Sequence, residues 1–172
     1  MTVLANFDNL TPGPLASYST AAVTITSPDG FQVLPYSTQS DPNELFENSS
    51  NGTASISIKL ATGTSGIGIG IADGDPVSIT LQALDASGVV FGPAFSINLA
   101  ATQDPNNPGN GYYALFDTTS DIFGLQILQT IGNGNFSGLA IDDLQIVPEP
   151  GSLTLLAASA VLLGLPRLRK RA

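Results

Sequence analysis

Gly66-Ile67-Gly68-Ile69-Gly70-Ile71 decides the class of fold. Its glycines have a superficial likeness to a nucleotide-binding loop, but the spacing is wrong and no helical pattern follows. The isoleucines instead recur with period two, which places all three on one face of a strand and the glycines on the other. The same alternation recurs outward along the chain. Val23 and Ile25 alternate with threonines, Ile56, Ile58 and Leu60 with Ser55, Ser57 and Lys59, and Val77, Ile79 and Leu81 with Ser78, Thr80 and Gln82. Val89 with Phe91, Phe95-Ile97-Leu99, and Leu125 with Ile127 continue it. Apolar residues inward and small or polar ones outward is the pattern of antiparallel sheets with one wet face.

Turn chemistry separates these runs: Ser27-Pro28-Asp29-Gly30, Asn51-Gly52, Asp73-Gly74-Asp75-Pro76, Asp85-Ala86-Ser87-Gly88 and Gly132-Asn133-Gly134. Gln82 to Val89 reads as a hairpin, with Gly88 free to take positive φ at its turn. Tyr36 to Ser50 reads as loop, with a turn or one helical turn at Asp41-Pro42-Asn43-Glu44. Asp104 to Gly111 reads as a rigid polar connection. The expectation is an all-β domain over residues 1–147, an antiparallel two-sheet sandwich of about nine or ten strands without a helix. Its rim loops are the usual place for binding.

Composition excludes several functions. The chain has no cysteine, no histidine and no tryptophan. Disulfides, thiolate nucleophiles, the commonest general base and the usual zinc ligands are therefore all absent. Residues 1–147 carry thirteen acidic groups against Lys59 alone, a net charge of −12. Such a surface repels phosphate backbones, which argues against nucleic-acid binding, and attracts divalent cations. Hydrolysis would need a carboxylate pair about 5–10 Å apart, and nothing in the sequence ranks one pair above another. The domain reads as non-enzymatic, with a carboxylate-based hydrolase as the weakest alternative.

Leu139-Ala140-Ile141-Asp142-Asp143-Leu144-Gln145-Ile146 holds two apolar pairs of opposite parity. A bulge at Asp142-Asp143 would return both pairs to the core and re-aim a carboxylate. This stretch resembles the closing strand of jelly-roll modules, MAM-like and carbohydrate-binding domains among them. That resemblance implies a jelly-roll-like sandwich whose closing strand pairs near a first strand holding Phe7-Asp8-Asn9-Leu10. With those strands as neighbours, Asp8, Asn9, Asp142 and Asp143 become candidate ligands of a structural Ca²⁺, an ion that takes six to eight oxygens. The simpler reading is that one aspartate holds loop amides and the other is solvated. Asp73-Gly74-Asp75 lacks the periodicity of a calcium loop and reads as a turn. Tyr36, Tyr112 and Tyr113 are candidates for stacking on a sugar. Alternation offers a plainer reading of the pair, one facing the core and the other covering an edge. The Asn-X-Ser/Thr sites at Asn48, Asn51 and Asn135 need a glycosylation pathway that the C-terminal tail argues against.

The chain closes on Val147-Pro148-Glu149-Pro150, an uncharged run from Gly151 to Leu165, and Pro166 before the basic end Arg167-Leu168-Arg169-Lys170-Arg171. As a helix the uncharged run spans roughly 22 Å, short of the ~30 Å bilayer core. Snorkelling by Arg167, Arg169, Lys170 and Arg171 extends its reach and sets the basic end on the cytoplasmic side. Pro148 and Pro150 uncouple the run from the domain. These residues resemble the PEP-CTERM sorting domain of exported bacterial proteins, over Val147 to Ala172. The resemblance implies a tail at 148–172, with the motif at 148–150, a short hydrophobic helix at 151–166 and a basic end at 167–172. It further implies an exosortase partner, transient inner-membrane retention, processing near the motif, and delivery to the cell surface among extracellular polysaccharide. Met1 to Asp8 has neither a basic n-region nor an apolar h-region and is not a signal peptide. An upstream start, or a chain beginning at the mature terminus, reconciles this with export; cytoplasmic residence is the alternative. The leading expectation is a non-enzymatic envelope or matrix protein associated with exopolysaccharide, its acidic surface a candidate for calcium bridging. A carbohydrate-binding module with rim tyrosines is the alternative.

Overall fold

The computed structural model describes residues 2–35, 43–47, 53–72, 77–99, 111–117, 121–131 and 139–147. These form strands β1 (Thr2–Ala5), β2 (Gly13–Ser19), β3 (Val23–Leu34), β4 (Glu44–Glu47), β5 (Thr53–Thr64), β6 (Gly66–Ala72), β7 (Val77–Leu84), β8 (Val90–Leu99), β9 (Gly111–Phe116), β10 (Ile122–Ile131) and β11 (Ala140–Val147). They make one 11-stranded sheet in the order β8-β7-β10-β5-β3-β4-β11-β6-β9, with β1 added to β11 and β2 to β3. Every pairing is antiparallel. The expected all-β, antiparallel class holds, but with eleven strands among the described residues where nine or ten were expected, and with one continuous curled sheet in place of two separate ones.

The sheet curls at β3. Residues Val23–Thr26 pair with β5, whereas Phe31–Leu34 pair with β4. β2 follows both halves along the opposite side. The β2–β3 ribbon therefore joins the run β5-β10-β7-β8 to the run β4-β11-β6-β9. One core draws on both: Ile56, Ile58, Ile79, Leu81 and Ile127 from the first, Leu45, Ile67, Ile69, Ile71, Ile141 and Leu144 from the second. Each of these side chains is at most 1 % exposed, and full burial of such a residue is worth about 1.5–3 kcal/mol. Phe7 closes one end of this core, edge-on to the Tyr18 ring at 5.1 Å.

Several details depart from the sequence reading. Ser27-Pro28-Asp29-Gly30 does not end a strand but lies within β3. Gly30 takes φ +72° there, and the facing β2 slips register between Leu15 and Ser17. This is a bulged bend of the kind that lets one strand serve two layers. Phe7-Asp8-Asn9-Leu10 is not the first strand. It is a turn closed by Leu10 N–H donating to the Phe7 carbonyl at 2.9 Å, and the first strand is β1. The segment read as loop from Tyr36 to Ser50 contains β4, whose Glu47 is fully buried and accepts from the Ser27 hydroxyl at 2.7 Å. A strand carrying two glutamates is disguised as loop by its polarity.

Other expectations hold. The hairpin turns at Asp85–Gly88, where Asp85 Oδ1 accepts from the Ser87 and Val89 amides at 2.8 and 2.9 Å and Gly88 takes φ +78°. The bulge in β11 is present. The turns at Asn51-Gly52, Asp73–Pro76 and Gly132–Gly134, the loop from Asp104, the Asn-X-Ser/Thr sites, Tyr36, and the tail with its motif, short helix and basic end lie outside the described residues.

Candidate functional site

The site is built on β6. Ile67, Ile69 and Ile71 fill the core, so Gly66, Gly68 and Gly70 form the opposite face of the strand. β6 lies between β9 and β11: Gly66 faces Phe116 and Val147, Gly68 faces Ala114 and Gln145, and Gly70 faces Tyr112 and Asp142. Residues directly opposite across a sheet share a face. Tyr112, Phe116, Gln145 and Val147 therefore stand on the glycine face.

Two aromatic rings lie down on the bare backbone. A Cβ added at Gly68 would stand 2.5 Å from the Tyr112 hydroxyl oxygen and 2.7 Å from its ring. One added at Gly66 would stand 2.8 Å from the Phe116 ring and 2.9 Å from Val147 Cγ2. Real side chains do not approach so closely, so glycine at both positions is what permits the rings to rest on the strand. The glycines are buried beneath them, yet Tyr112 remains 38 % and Phe116 67 % exposed. Tyr113, on the opposite parity, packs against the core. The plainer reading of the tyrosine pair is thus correct for Tyr113, while Tyr112 does more than cover an edge.

The bulge in β11 positions the charge beside this surface. Register slips between Asp142 and Gln145, and Asp143 takes φ +46°, the one non-glycine residue with positive φ among the described residues. Aspartate tolerates this region better than most side chains. Asp143 N–H donates to Asp142 Oδ1 at 2.8 Å, pinning the bulge locally. Leu139, Ile141 and Leu144 are buried on either side of it, and Ile146 is half-buried opposite Ile67. The phenol of Tyr112 lies within the field of Asp143. Burial first, and the Asp143 carboxylate second, push its pKa up to about 12. Burial alone raises that of Tyr113.

The candidate calcium ligands fall at a nearby junction. Asp8 lies three residues past Ala5, whose partner on β11 is Leu144. Asp8 Oδ2 accepts from the Asn6 side chain at 2.9 Å, whereas its buried Oδ1 has no hydrogen-bond partner among the described residues. Asn43, itself buried, donates to the Asp8 and Leu10 carbonyls at 2.9 and 3.1 Å and fixes this turn against β4. Asn9 is exposed, and Asp142 is 1 % exposed. No three acidic side chains among the described residues gather into a group that could hold a metal ion. Asp8, Asp142 and Asp143 do not make such a triad.

Phe116 and the glycines of β6 were not singled out as site residues in the sequence. The signal was there: Tyr112 and Phe116 share parity, and a strand with glycine at every second position has a face that only a neighbour's side chains can cover.

No family model and no curated protein matches this sequence. Solved structures do match in fold. TmCBM61, solved with β-1,4-galactotriose, is 12 % identical with a TM-score of 0.50, over 75 % of this chain and 90 % of that one. The K1 cleaved adhesin domain of Lys-gingipain from Porphyromonas gingivalis W83 is 12 % identical with a TM-score of 0.55, over 87 % and 99 %. An exo-β-agarase is 12 % identical with a TM-score of 0.51, but this chain covers only 26 % of it. At such identities these likenesses establish the all-β, jelly-roll type of fold shared with carbohydrate-binding modules, and nothing about ligands.

The site makes a direct prediction. The neutral phenol of Tyr112 is favoured in the folded state, so its contribution to stability is complete below the ordinary pKa of 10.0 and is lost as pH rises through about 12. Tyrosine ring shifts followed by NMR should show Tyr112 holding its proton to about pH 12, with Asp143→Asn moving the midpoint only part of the way back. A wild-type midpoint at 10.0 would contradict the packing of this ring.

Proposed function

We propose that this domain is a non-catalytic carbohydrate-binding module that binds glycan on the glycine face of β6. The observation that carries this reading is the pair of rings, Tyr112 and Phe116, packed against the glycine face of β6 and left partly open to solvent. A pyranose presents an apolar C–H face that packs on an aromatic ring through dispersion and loss of hydrated apolar surface. The Tyr112 hydroxyl and the Gln145 amide supply polar groups at the margin, the combination that orients a small ligand. The fold shared with carbohydrate-binding modules is consistent with this use and adds no ligand of its own. The PEP-CTERM-like tail would hold the module at the inner membrane until an exosortase removes it, and the module would then reach the cell surface, where extracellular polysaccharide is at hand. A second reading rests on Asp8. Its buried Oδ1, without a hydrogen-bond partner among the described residues, suits a structural Ca²⁺ held with carbonyls of its own turn rather than with Asp142 and Asp143, which form no acidic triad with it.

Three outcomes follow. In affinity electrophoresis against a panel of soluble β-linked glycans, Tyr112→Ala and Phe116→Ala should each weaken binding about tenfold, ~1.4 kcal/mol. Gly68→Ala, which keeps both aromatic residues but displaces the Tyr112 ring from the strand, should do the same; wild-type affinity in all three would remove the platform from consideration. Calcium in excess of chelator should raise the melting temperature of the wild type and not of Asp8→Ala, and equal melting with and without chelator excludes the ion. Intact-mass analysis of the protein from its producing cells should show loss of the residues after Pro150, whereas a chain still ending at Ala172 contradicts the sorting role.

A further inference from the structure

We infer that the glycan taken by this platform carries no anionic groups, and that Asp143 is the residue that sets this selectivity. The inference rests on the platform reading and adds the class of ligand to it. Selectivity against a charged ligand comes from an unmatched charge placed where that ligand must lie. Asp143 is such a charge. The bulge fixes its backbone in the left-handed region at φ +46° with its amide tied to Asp142, so the residue is anchored beside the platform rather than free to move off. Tyr112 and Asp142 flank Gly70 on its two sides in the sheet, so Asp143, the next residue of the bulge, stands two strands from Tyr112, within Coulombic reach of a sugar stacked on that ring.

Among the described residues no compensating cation is near. Lys59 is the only basic residue in 1–147. It lies on β5, in the other run of the sheet, where its Nζ stands 3.0 Å from the position a Cβ would take at Gly88 in the β7–β8 turn. A uronate, sulfate or phosphate on a stacked sugar would therefore meet the Asp143 carboxylate beside Tyr112 and a domain charge of −12, and like charges facing across an interface suppress binding.

The geometry also sets the direction of the chain. Gly68 and Gly66 are two residues apart on one strand, roughly 6.6 Å, so the rings lying on them follow one another along β6. A glycan chain laid parallel to that strand presents successive sugars to Tyr112 and Phe116.

The test compares uncharged β-linked galactan and glucan chains with polygalacturonate and alginate, in chelator, at low and at physiological salt. Wild type should bind an uncharged chain and discriminate against the uronate chains, the discrimination shrinking as salt screens it. Asp143→Asn keeps a side chain suited to the left-handed backbone, so its far-UV spectrum should match wild type. Its ratio of uronate to uncharged affinity should rise about threefold or more at low salt. Wild-type binding of uronate chains as tight as of uncharged ones, in chelator, would overturn the selectivity while leaving the glycan reading standing. An unchanged ratio in Asp143→Asn would overturn the role of that residue. Failure of wild type to bind any chain would overturn the platform reading itself, and this inference with it.

Discussion

The alternation of isoleucine and glycine in β6 is the constraint on which the rest depends. A strand between two neighbours has two faces to satisfy. Ile67, Ile69 and Ile71 give one of them wholly to the core, a gain of about 1.5–3 kcal/mol for each side chain. Glycine on the other face costs roughly 0.5–1 kcal/mol per position in conformational entropy. What offsets part of that cost is visible: Tyr112 and Phe116 settle on the bare backbone and bury it. The same arrangement leaves two aromatic rings partly open to solvent. The feature that makes the strand look weak in isolation makes it a candidate binding surface in context.

The bulge in β11 is the second organising feature. It resolves a parity conflict, keeping Leu139, Ile141 and Leu144 in one core despite their spacing. It also divides β11 along its length, with β4 paired on one side of the irregularity and β1 on the other. The Asp8 turn, anchored by Asn43, fits beside that junction. One irregular residue pair thus joins three strands, leaves Asp142 buried on the glycine face opposite Gly70 and sets Asp143 next to the platform. Structure and candidate selectivity both pass through two adjacent aspartates.

The class of fold was legible because period-two alternation survives in β5, β6 and β7, and so were the Asp85–Gly88 hairpin and the bulge; around β8 it does not, and Val89 and Phe95, expected inward, are exposed. What was not legible has physical reasons. β1 and β4 are four residues each, too short for a periodic signal, and β4 carries buried glutamates that are satisfied only by tertiary partners such as the Ser27 hydroxyl. The bend in β3 carries the Pro-Asp-Gly chemistry of a turn, yet pairing with β2 on one side and β4 and β5 on the other keeps it a strand. Tyr112 was among the candidates, but its partner Phe116 was not. Their relation depends on β9 lying beside β6, a long-range pairing that no local pattern reveals. The tail, the most recognisable motif in the sequence, lies outside the described residues and carries no information on what the domain binds.

The central claim is that glycan lies on the glycine face of β6, and the most direct measurement is an amide chemical-shift titration with a soluble uncharged β-linked oligosaccharide. The account predicts that saturating shifts cluster on residues 66–70, 112–116 and 143–147, while the opposite run, β5-β10-β7-β8, stays still. Shifts concentrated on β7 and β8, or around the bend of β3, with the β6 glycines unmoved, would contradict it.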